Sequence, residues 1–209
     1  MSVKTQRAVY IVGGDAGVTG MFKHRGWNLA ETDQDADAVV FTGGADITPF
    51  LYGERIIQGT QVNFTRDLEE VRLFKSLPSK LPKIGICRGG QFLNVMSGGS
   101  MFQNVDNHAI RGCHDMKDVV DGNTIMVTST HHQMMIPSDR AFIIGLAKEA
   151  TKKVGERISI SIKERIWDDH EVLYYQHTTA FCFQPHPEYV KADHDCQEYF
   201  FRQIETYCF

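Results

Sequence analysis

Three short apolar runs, each closed by glycine or cysteine, constrain the fold of this chain more than any other feature. They read "AVYIVGG" from residue 8, "DAVVFTGG" from residue 37 and "PKIGIC" from residue 82. Continuous runs rich in Val and Ile are typical of strands that are buried on both faces of a parallel sheet. Between the second and third runs, "NFTRDLEEVRLFKSLPS" has apolar residues at helical spacing with charges opposite. This order predicts an α/β fold with a mostly parallel central sheet flanked by helices.

After Gly99 the sequence pattern changes. "NTIMVTST" and "RISISIKE" predict strands, "EVLYYQHTTAFCFQPH" predicts a strand pair, and "ADHDCQEYFFRQIETY" predicts a closing amphipathic helix. The polar runs over residues 106–123 and 136–140 are interpreted as surface loops. Since the sequence contains no repeat, low-complexity segment or linker, we expect a single domain over residues 1–209.

Composition narrows the class of protein. The 209 residues are 42% hydrophobic and include 13 Phe, enough for a core, and no run approaches the ~18 apolar residues of a membrane span. A net charge of −4 provides no overall basic field for nucleic acid. Five cysteines without framework spacing favour free thiols in a reduced compartment, and the N-terminal apolar run is too short for a signal peptide. We therefore expect a cytoplasmic protein that acts on a small molecule.

Cys87 lies where a strand is followed by a helix. It ends "KIGI", and "RGGQFLNVMSG" then places Phe92, Leu93 and Met96 on one helical face. Glycines two residues before and after the cysteine allow the sharp turn of a nucleophile elbow, in the pattern Gly-x-Cys-x-Gly. A helix N-terminus and a nearby imidazole both favour the thiolate. A buried structural cysteine is the alternative, because free cysteine is often part of a core.

A second stretch supplies the groups that a catalytic cysteine needs. In "FCFQPHPEYV", His186 precedes a proline, which favours extended backbone, and alternation then puts Glu188 on the same side. The carboxylate can accept from one ring nitrogen and leave the other for the thiol, which is the arrangement of a catalytic triad. An ordinary surface loop is the alternative for this stretch considered alone.

Together these motifs resemble the class I glutamine amidotransferase superfamily. "GICRGGQ" and "QPHPE" match its elbow and its His-Pro-Glu end, and "TGGADITPFLYGE", "RDLEE" and "VTSTHHQ" are similar to the γ-glutamyl hydrolase-like peptidase branch. The resemblance extends from Val39 to Tyr189. It implies a three-layer, flavodoxin-like fold in which Cys87 is the nucleophile, His186 the general base and acid, and Glu188 the orienting carboxylate.

The resemblance also implies further site residues. The backbone amides of Gly43 or Gly44 and of Arg88 would form the oxyanion hole, and the two glycines end a predicted strand at the same sheet edge as Cys87. The substrate-binding residues implied are Gln91, Ser129, His131 and His132. Gln91 is one helical turn after the cysteine and shares its face.

The implied reaction is hydrolysis of a γ-glutamyl amide through a thioester, with no metal or organic cofactor. Two alternatives stay open, a glutaminase subunit that supplies ammonia to a synthetase partner and an inactive binding module. A metal site at His108, Cys113 and His114 is the least favoured interpretation, since the spacing matches no zinc motif and the segment is predicted to be a polar loop.

Overall fold

Thirteen strands and four α-helices make up the part of the chain that the computed structural model describes, residues 6–105, 108–148, 153–154 and 168–209. The helices are α1 (Ala16–His24), α2 (Phe64–Ser76), α3 (Arg88–Met96) and α4 (Asp195–Cys208). The strands are β1 (Ala8–Val12), β2 (Asn28–Leu29), β3 (Ala38–Phe41), β4 (Lys83–Ile86), β5 (Ser100–Phe102), β6 (Asn104–Val105), β7 (Ala109–Asp118), β8 (Thr124–Thr130), β9 (Met134–Ile136), β10 (Phe142–Ala147), β11 (Lys153–Val154), β12 (His170–Tyr175) and β13 (Ala180–Phe183). Within these residues, no helix is both long and apolar enough to span a membrane.

One open sheet organises these elements. Its nine strands in a row are ordered β2-β1-β3-β4-β13-β12-β10-β7-β8, with β9 paired to β12 and β5 to β9. The pairs from β2 to β13 are parallel, whereas those from β13 to β8 are antiparallel. The predicted α/β class is confirmed, but the sheet is mixed rather than mostly parallel, because the second half of the chain adds strands through hairpins.

The sequence located three of the four described helices and six of the described strands, did not predict α1 or β10, and was wrong about one segment. The three apolar runs are β1, β3 and β4, and the predicted strand pair is the hairpin β12–β13. The loop predicted over residues 106–123 is wrong, since β7 occupies ten of those residues and pairs with β8. Its inward side chains include the polar residues His114 and Asp118 beside Met116, so the strand lacks the apolar alternation that predicts one. The strand predicted over residues 157–164 lies outside the described residues.

Helices cover both faces of the sheet and create two cores. On one face, Phe22 of α1 and Phe200 of α4 pack against Ile84 and Phe181 of the sheet. On the opposite face, Phe92 of α3 contributes to a second core with further residues of the sheet, Val39, Phe41 and Cys182. Neighbouring residues of β3 therefore belong to opposite cores, as the strand period of two requires.

Helix α3 approaches the sheet more closely than side chains would allow. A Cβ on Gly85 would collide with the backbone of Gly89, and a Cβ on Gly89 would collide with the carbonyl group of Phe41. A Cβ on Gly90 would lie 2.9 Å from the backbone nitrogen of Phe183. The first turn of α3 therefore lies in backbone contact with β3, β4 and β13, which fixes the position of Cys87.

Replacement of Gly89 by alanine tests this approach. Gly89→Ala should lower the free energy of unfolding by about 2 kcal/mol or more, since overpacking a rigid contact costs that much. Gly20→Ala is the matched control, because Gly20 is exposed in α1 with no atom within 4 Å of its added Cβ. That variant should gain up to about 1 kcal/mol. Urea unfolding measures both, and wild-type stability of Gly89→Ala would contradict the close packing.

Candidate active site

Cys87 occupies the turn between β4 and α3. Its φ of 50° and ψ of −112° form a backbone conformation that residues with a side chain rarely adopt. The Cys87 N–H donates to the carbonyl of Phe183 at 2.7 Å, while first-turn amides of a helix have no acceptor within the helix. The buried thiol therefore lies at the positive end of α3, where a negative sulfur is stabilised.

His186 and Glu188 form the second part of the site. The Nδ1 atom of His186 lies 2.5 Å from Oε1 of Glu188, and both side chains are buried. Thr128 fixes the backbone of the histidine, because its hydroxyl accepts from the His186 N–H at 2.6 Å. The Tyr189 ring stacks on the imidazole with centroids 4.2 Å apart, a contact that no sequence motif predicts. The carboxylate therefore orients the ring and leaves Nε2 for another partner.

The electrostatics of His186 identify that partner. Burial lowers the pKa of the imidazole, but the charge of Cys87 and its hydrogen bond, followed by the Glu188 carboxylate, outweigh burial and raise the pKa to about 10. A histidine with this pKa is cationic at neutral pH and attracts a thiolate. The structure thus brings the three predicted triad residues together, with the imidazole of His186 between the Cys87 sulfur and the Glu188 carboxylate.

Gly43 and Gly44 follow β3 and lie against the same imidazole. A Cβ on Gly43 would stand 2.8 Å from Cε1 of His186, so only glycine allows this contact. The Gly43 carbonyl accepts from Nη1 of Arg66 at 2.8 Å, and Nη2 of the same guanidinium donates to the Thr42 carbonyl at 3.0 Å. Gly44 has a φ of 142°. Arg66 therefore holds the glycine turn in one orientation.

The Arg88 side chain lies in a buried ion-pair network. Its guanidinium pairs with the carboxylates of Asp67 and Glu70 on α2, and Glu70 also accepts from Nε of Arg66 at 2.7 Å. Sequence analysis placed the charges of α2 opposite its apolar face, yet Asp67 and Glu70 are buried. The spacing of "RDLEE" is the signal for this face, since residues three and four apart are neighbours on a helix. The network joins α2 to the elbow and to the glycine turn.

The predicted substrate-binding residues are divided between two places. Gln91 is buried beside the thiol, with its amide 3.2 Å from Oε1 of Gln184, whose own amide lies 3.6 Å from the Cys87 sulfur. His132 is half-exposed, and its Nε2 lies 3.0 Å from Asp46. Gln91 therefore offers an amide in the interior of the site, and His132 offers an imidazole at its partly exposed side.

Ser129 and His131 have buried partners instead. The Ser129 hydroxyl donates to the carbonyl of His108 at 2.6 Å. His131 Nε2 lies 3.5 Å from Oε1 of Glu171, and burial lowers the pKa of this imidazole to about 3. Substrate contact by these two residues stays a prediction, and their side chains line a buried histidine cluster.

Comparison with known proteins identifies the family of this chain. The family model of peptidase C26 matches residues 8–188. The glutamine amidotransferase-like protein YvdE of Lactococcus lactis is 35% identical over 100 residues, which cover 46% of this chain and 39% of the relative. The carbamoyl phosphate synthase small chain of Salmonella typhimurium is 26% identical over 136 residues, covering 64% of this chain and 32% of the relative. The chain therefore spans less than half the length of each of these curated relatives.

A solved structure shows the same fold. The glutamine amidotransferase of Thermotoga maritima superposes with a TM-score of 0.61 at 19% identity, covering 97% of this chain and 82% of that one. At this identity the likeness concerns the fold alone.

The interaction between the Cys87 sulfur and His186 predicts how substitution of the cysteine changes the pKa of the histidine. Cys87→Ser should lower the pKa of His186 from about 10, because the cysteine contributes the largest of the effects that raise it. Since the folded pKa exceeds the unfolded value of about 6.5, the stability that protonated His186 contributes is complete below that pH and is lost as the pH rises toward 10. Titration by NMR of labelled histidine measures the change.

His132 provides the internal reference for that titration. Asp46 raises the pKa of its imidazole through a hydrogen bond, and this interaction is independent of the sulfur. The His132 pKa should therefore be equal in both proteins. An unchanged His186 pKa in Cys87→Ser would contradict the pairing of sulfur and imidazole.

Proposed function

This chain belongs to the peptidase C26 family, and from that premise we propose that it hydrolyses the γ-glutamyl amide bond of a small-molecule substrate. One observation carries the proposal: Cys87 on a strained elbow stands beside His186, whose Nδ1 lies 2.5 Å from Glu188. This constellation is suited to nucleophilic attack on an amide carbonyl.

The proposed reaction proceeds in two acyl-transfer steps. The Cys87 thiolate attacks the γ-carbonyl carbon, and the tetrahedral intermediate collapses as protonated His186 donates its proton to the leaving amine. A γ-glutamyl thioester remains on the sulfur. His186, now neutral, takes a proton from water, which attacks the thioester and releases glutamate and the thiolate. Glu188 holds the imidazole in place through both steps, and the scheme requires no metal or organic cofactor.

The oxyanion hole is proposed from the backbone of Gly44 and Arg88. The Gly43 carbonyl and the Gly44 N–H belong to one trans peptide group and point in opposite directions. Because Arg66 holds that carbonyl at 2.8 Å, it also fixes the direction of the Gly44 N–H. Arg88 provides a first-turn amide of α3, where no helical acceptor competes. Two oriented donors of this kind stabilise a developing oxyanion without reorganisation.

Substrate recognition is proposed from the two polar groups beside the site. Gln91, together with Gln184, presents amides next to the sulfur, where they can bind the glutamyl moiety. His132 and Asp46 form an ion pair at the partly exposed side, where a substrate with α-amino and α-carboxylate groups meets both charges. The amine on the leaving side is not specified by these contacts.

A glutaminase subunit that supplies ammonia to a synthetase partner is the second candidate. The similarity to a carbamoyl phosphate synthase small chain over 64% of this chain favours it. In such a protein the leaving nitrogen must be unsubstituted, because ammonia passes to another site. The two candidates therefore differ in the substrate that reacts fastest.

A scan of γ-glutamyl amides against glutamine tests the function. For a self-contained hydrolase, kcat/KM for a γ-glutamyl amine should exceed that for glutamine at least about a hundredfold, roughly 2.7 kcal/mol of transition-state binding. Release of free glutamate is the measurement. A hundredfold preference for glutamine, or turnover only with an added synthetase, would support the second candidate. Cys87→Ala and His186→Ala should abolish turnover, whereas Glu188→Gln should retain more; activity in Cys87→Ala would exclude the mechanism.

Arg66 provides a test of the oxyanion hole. Arg66→Lys should lower kcat about tenfold or more with little change in KM, because lysine cannot hold both carbonyls of the glycine turn and the Gly44 donor loses its direction. Arg72→Lys on the exposed side of α2 is the matched control and should leave kcat unchanged. A rise in KM at constant kcat would assign Arg66 to substrate binding instead.

A further inference from the structure

Four side chains of the antiparallel half of the sheet converge on one buried point. Nδ1 of His108, Nε2 of His114 and Nε2 of His131 lie 3.5, 3.4 and 3.5 Å from the same oxygen, Oε1 of Glu171. His108 is the residue before β7, His114 lies within β7, His131 follows β8, and Glu171 belongs to β12. The cluster therefore connects the neighbouring strands β7 and β8 with β12, which is distant in sequence.

These converging atoms have no hydrogen-bond partner within the described residues. The three nitrogens and both carboxylate oxygens of Glu171 are inaccessible to solvent, and none of them makes a hydrogen bond of normal geometry. The separations of 3.4–3.5 Å exceed the 2.7–3.2 Å of a normal N–H···O bond. Each buried polar group left unpaired costs about 1–3 kcal/mol. Five such atoms at one point would lower the stability of the fold by several kcal/mol unless a bound species interacted with all of them.

The separations match those of ligands around one metal ion. Four ligands at zinc bond lengths of about 2.0–2.1 Å stand roughly 3.4 Å apart at the corners of a tetrahedron. The three distances from Glu171 Oε1 have this length, and the ligating atoms of His108, His114 and Glu171 all lie within 4.8 Å of one another. Imidazole nitrogens with one carboxylate oxygen are donors that suit zinc.

The carboxylate of Asp169 orients one of the candidate ligands, His108. Nε2 of His108 lies 3.0 Å from Oδ2 of Asp169. A proton held there leaves the lone pair of Nδ1 directed at the cluster, which is the carboxylate–histidine–metal arrangement of protein metal sites.

We propose that His108, His114 and Glu171 bind one divalent zinc-type ion as a buried structural site. His131, whose Nε2 lies 3.5 Å from the same carboxylate oxygen, is the candidate fourth donor that would complete a tetrahedral shell. The position of the ion in the fold would let it stabilise the neighbouring strands. The Glu171 carbonyl accepts from the N–H of Gln184 at 2.8 Å, and Gln184 leads to the catalytic His186. The ion would therefore hold the strands that support the triad.

The site differs from the metal interpretation that the sequence suggested. His108 and His114 are shared with that interpretation, but Cys113 is exposed and alternates to the other side of β7. Glu171 and His131 complete the set from distant positions, and no short spacing motif connects them.

Metal content and cobalt spectra of the untagged full chain test the proposal. Protein purified from zinc-supplemented medium should retain about one zinc per chain after dialysis against a weak chelator. Apo protein titrated with Co²⁺ should develop tetrahedral d–d absorption without a sulfur charge-transfer band, and Zn²⁺ should reverse it and raise the Tm. The titration uses the wild-type chain, so it does not depend on whether a variant folds.

Variants assign the ion to its ligands. Glu171→Gln and His114→Gln should lose the stoichiometric ion, whereas His177→Gln, an exposed histidine in the β12–β13 turn, should keep it. Cys87→Ser should keep it as well, which separates this site from zinc on the catalytic thiol. Failure of the wild-type apo protein to bind Co²⁺ or Zn²⁺ would overturn the proposal, as would binding that is lost in Cys87→Ser and retained in Glu171→Gln.

Discussion

The backbone contact between the first turn of α3 and strands β3 and β4 is the constraint on which the candidate site depends. Glycine at positions 85 and 89 permits that contact, since a Cβ at either position would collide with main-chain atoms. The helix begins so close to the strand that Cys87 must turn within one residue, at a φ of 50°. The close packing therefore supplies the free energy that holds a strained nucleophile in place.

Buried charges connect this turn to the neighbouring elements. Arg88, Asp67, Glu70 and Arg66 form one network from the elbow to the carbonyl of Gly43. Removal of one member would leave an uncompensated buried charge, which costs more than the intact network contributes to stability. Such a network is poorly explained by stability alone. The network is better explained by the proposed mechanism, in which it fixes the two oxyanion-hole amides, of Gly44 and Arg88, relative to the Cys87 sulfur.

The sequence predicted those parts of the site that depend on local pattern. The strand ends, the elbow and the His186–Glu188 spacing are set by neighbours in the chain, and glycine and proline mark them. The Arg88 network was missed because its partners lie about twenty residues away. Strand β7 was interpreted as a loop because its inward residues include His114 and Asp118. The burial of His114 is explained only by Glu171, which the fold brings to 3.4 Å from its ring.

The antiparallel half of the sheet is stabilised differently from the parallel half. Apolar cores dominate both faces around α3, whereas the region between β7, β8 and β12 encloses three imidazoles and a carboxylate. Hydrophobic burial cannot compensate their desolvation, and hydrogen bonds at 3.4–3.5 Å are too long to do so. An ion at the common point would satisfy these atoms together. Because β12 continues into β13 and on to His186, such stabilisation would determine how rigidly the imidazole faces the thiol.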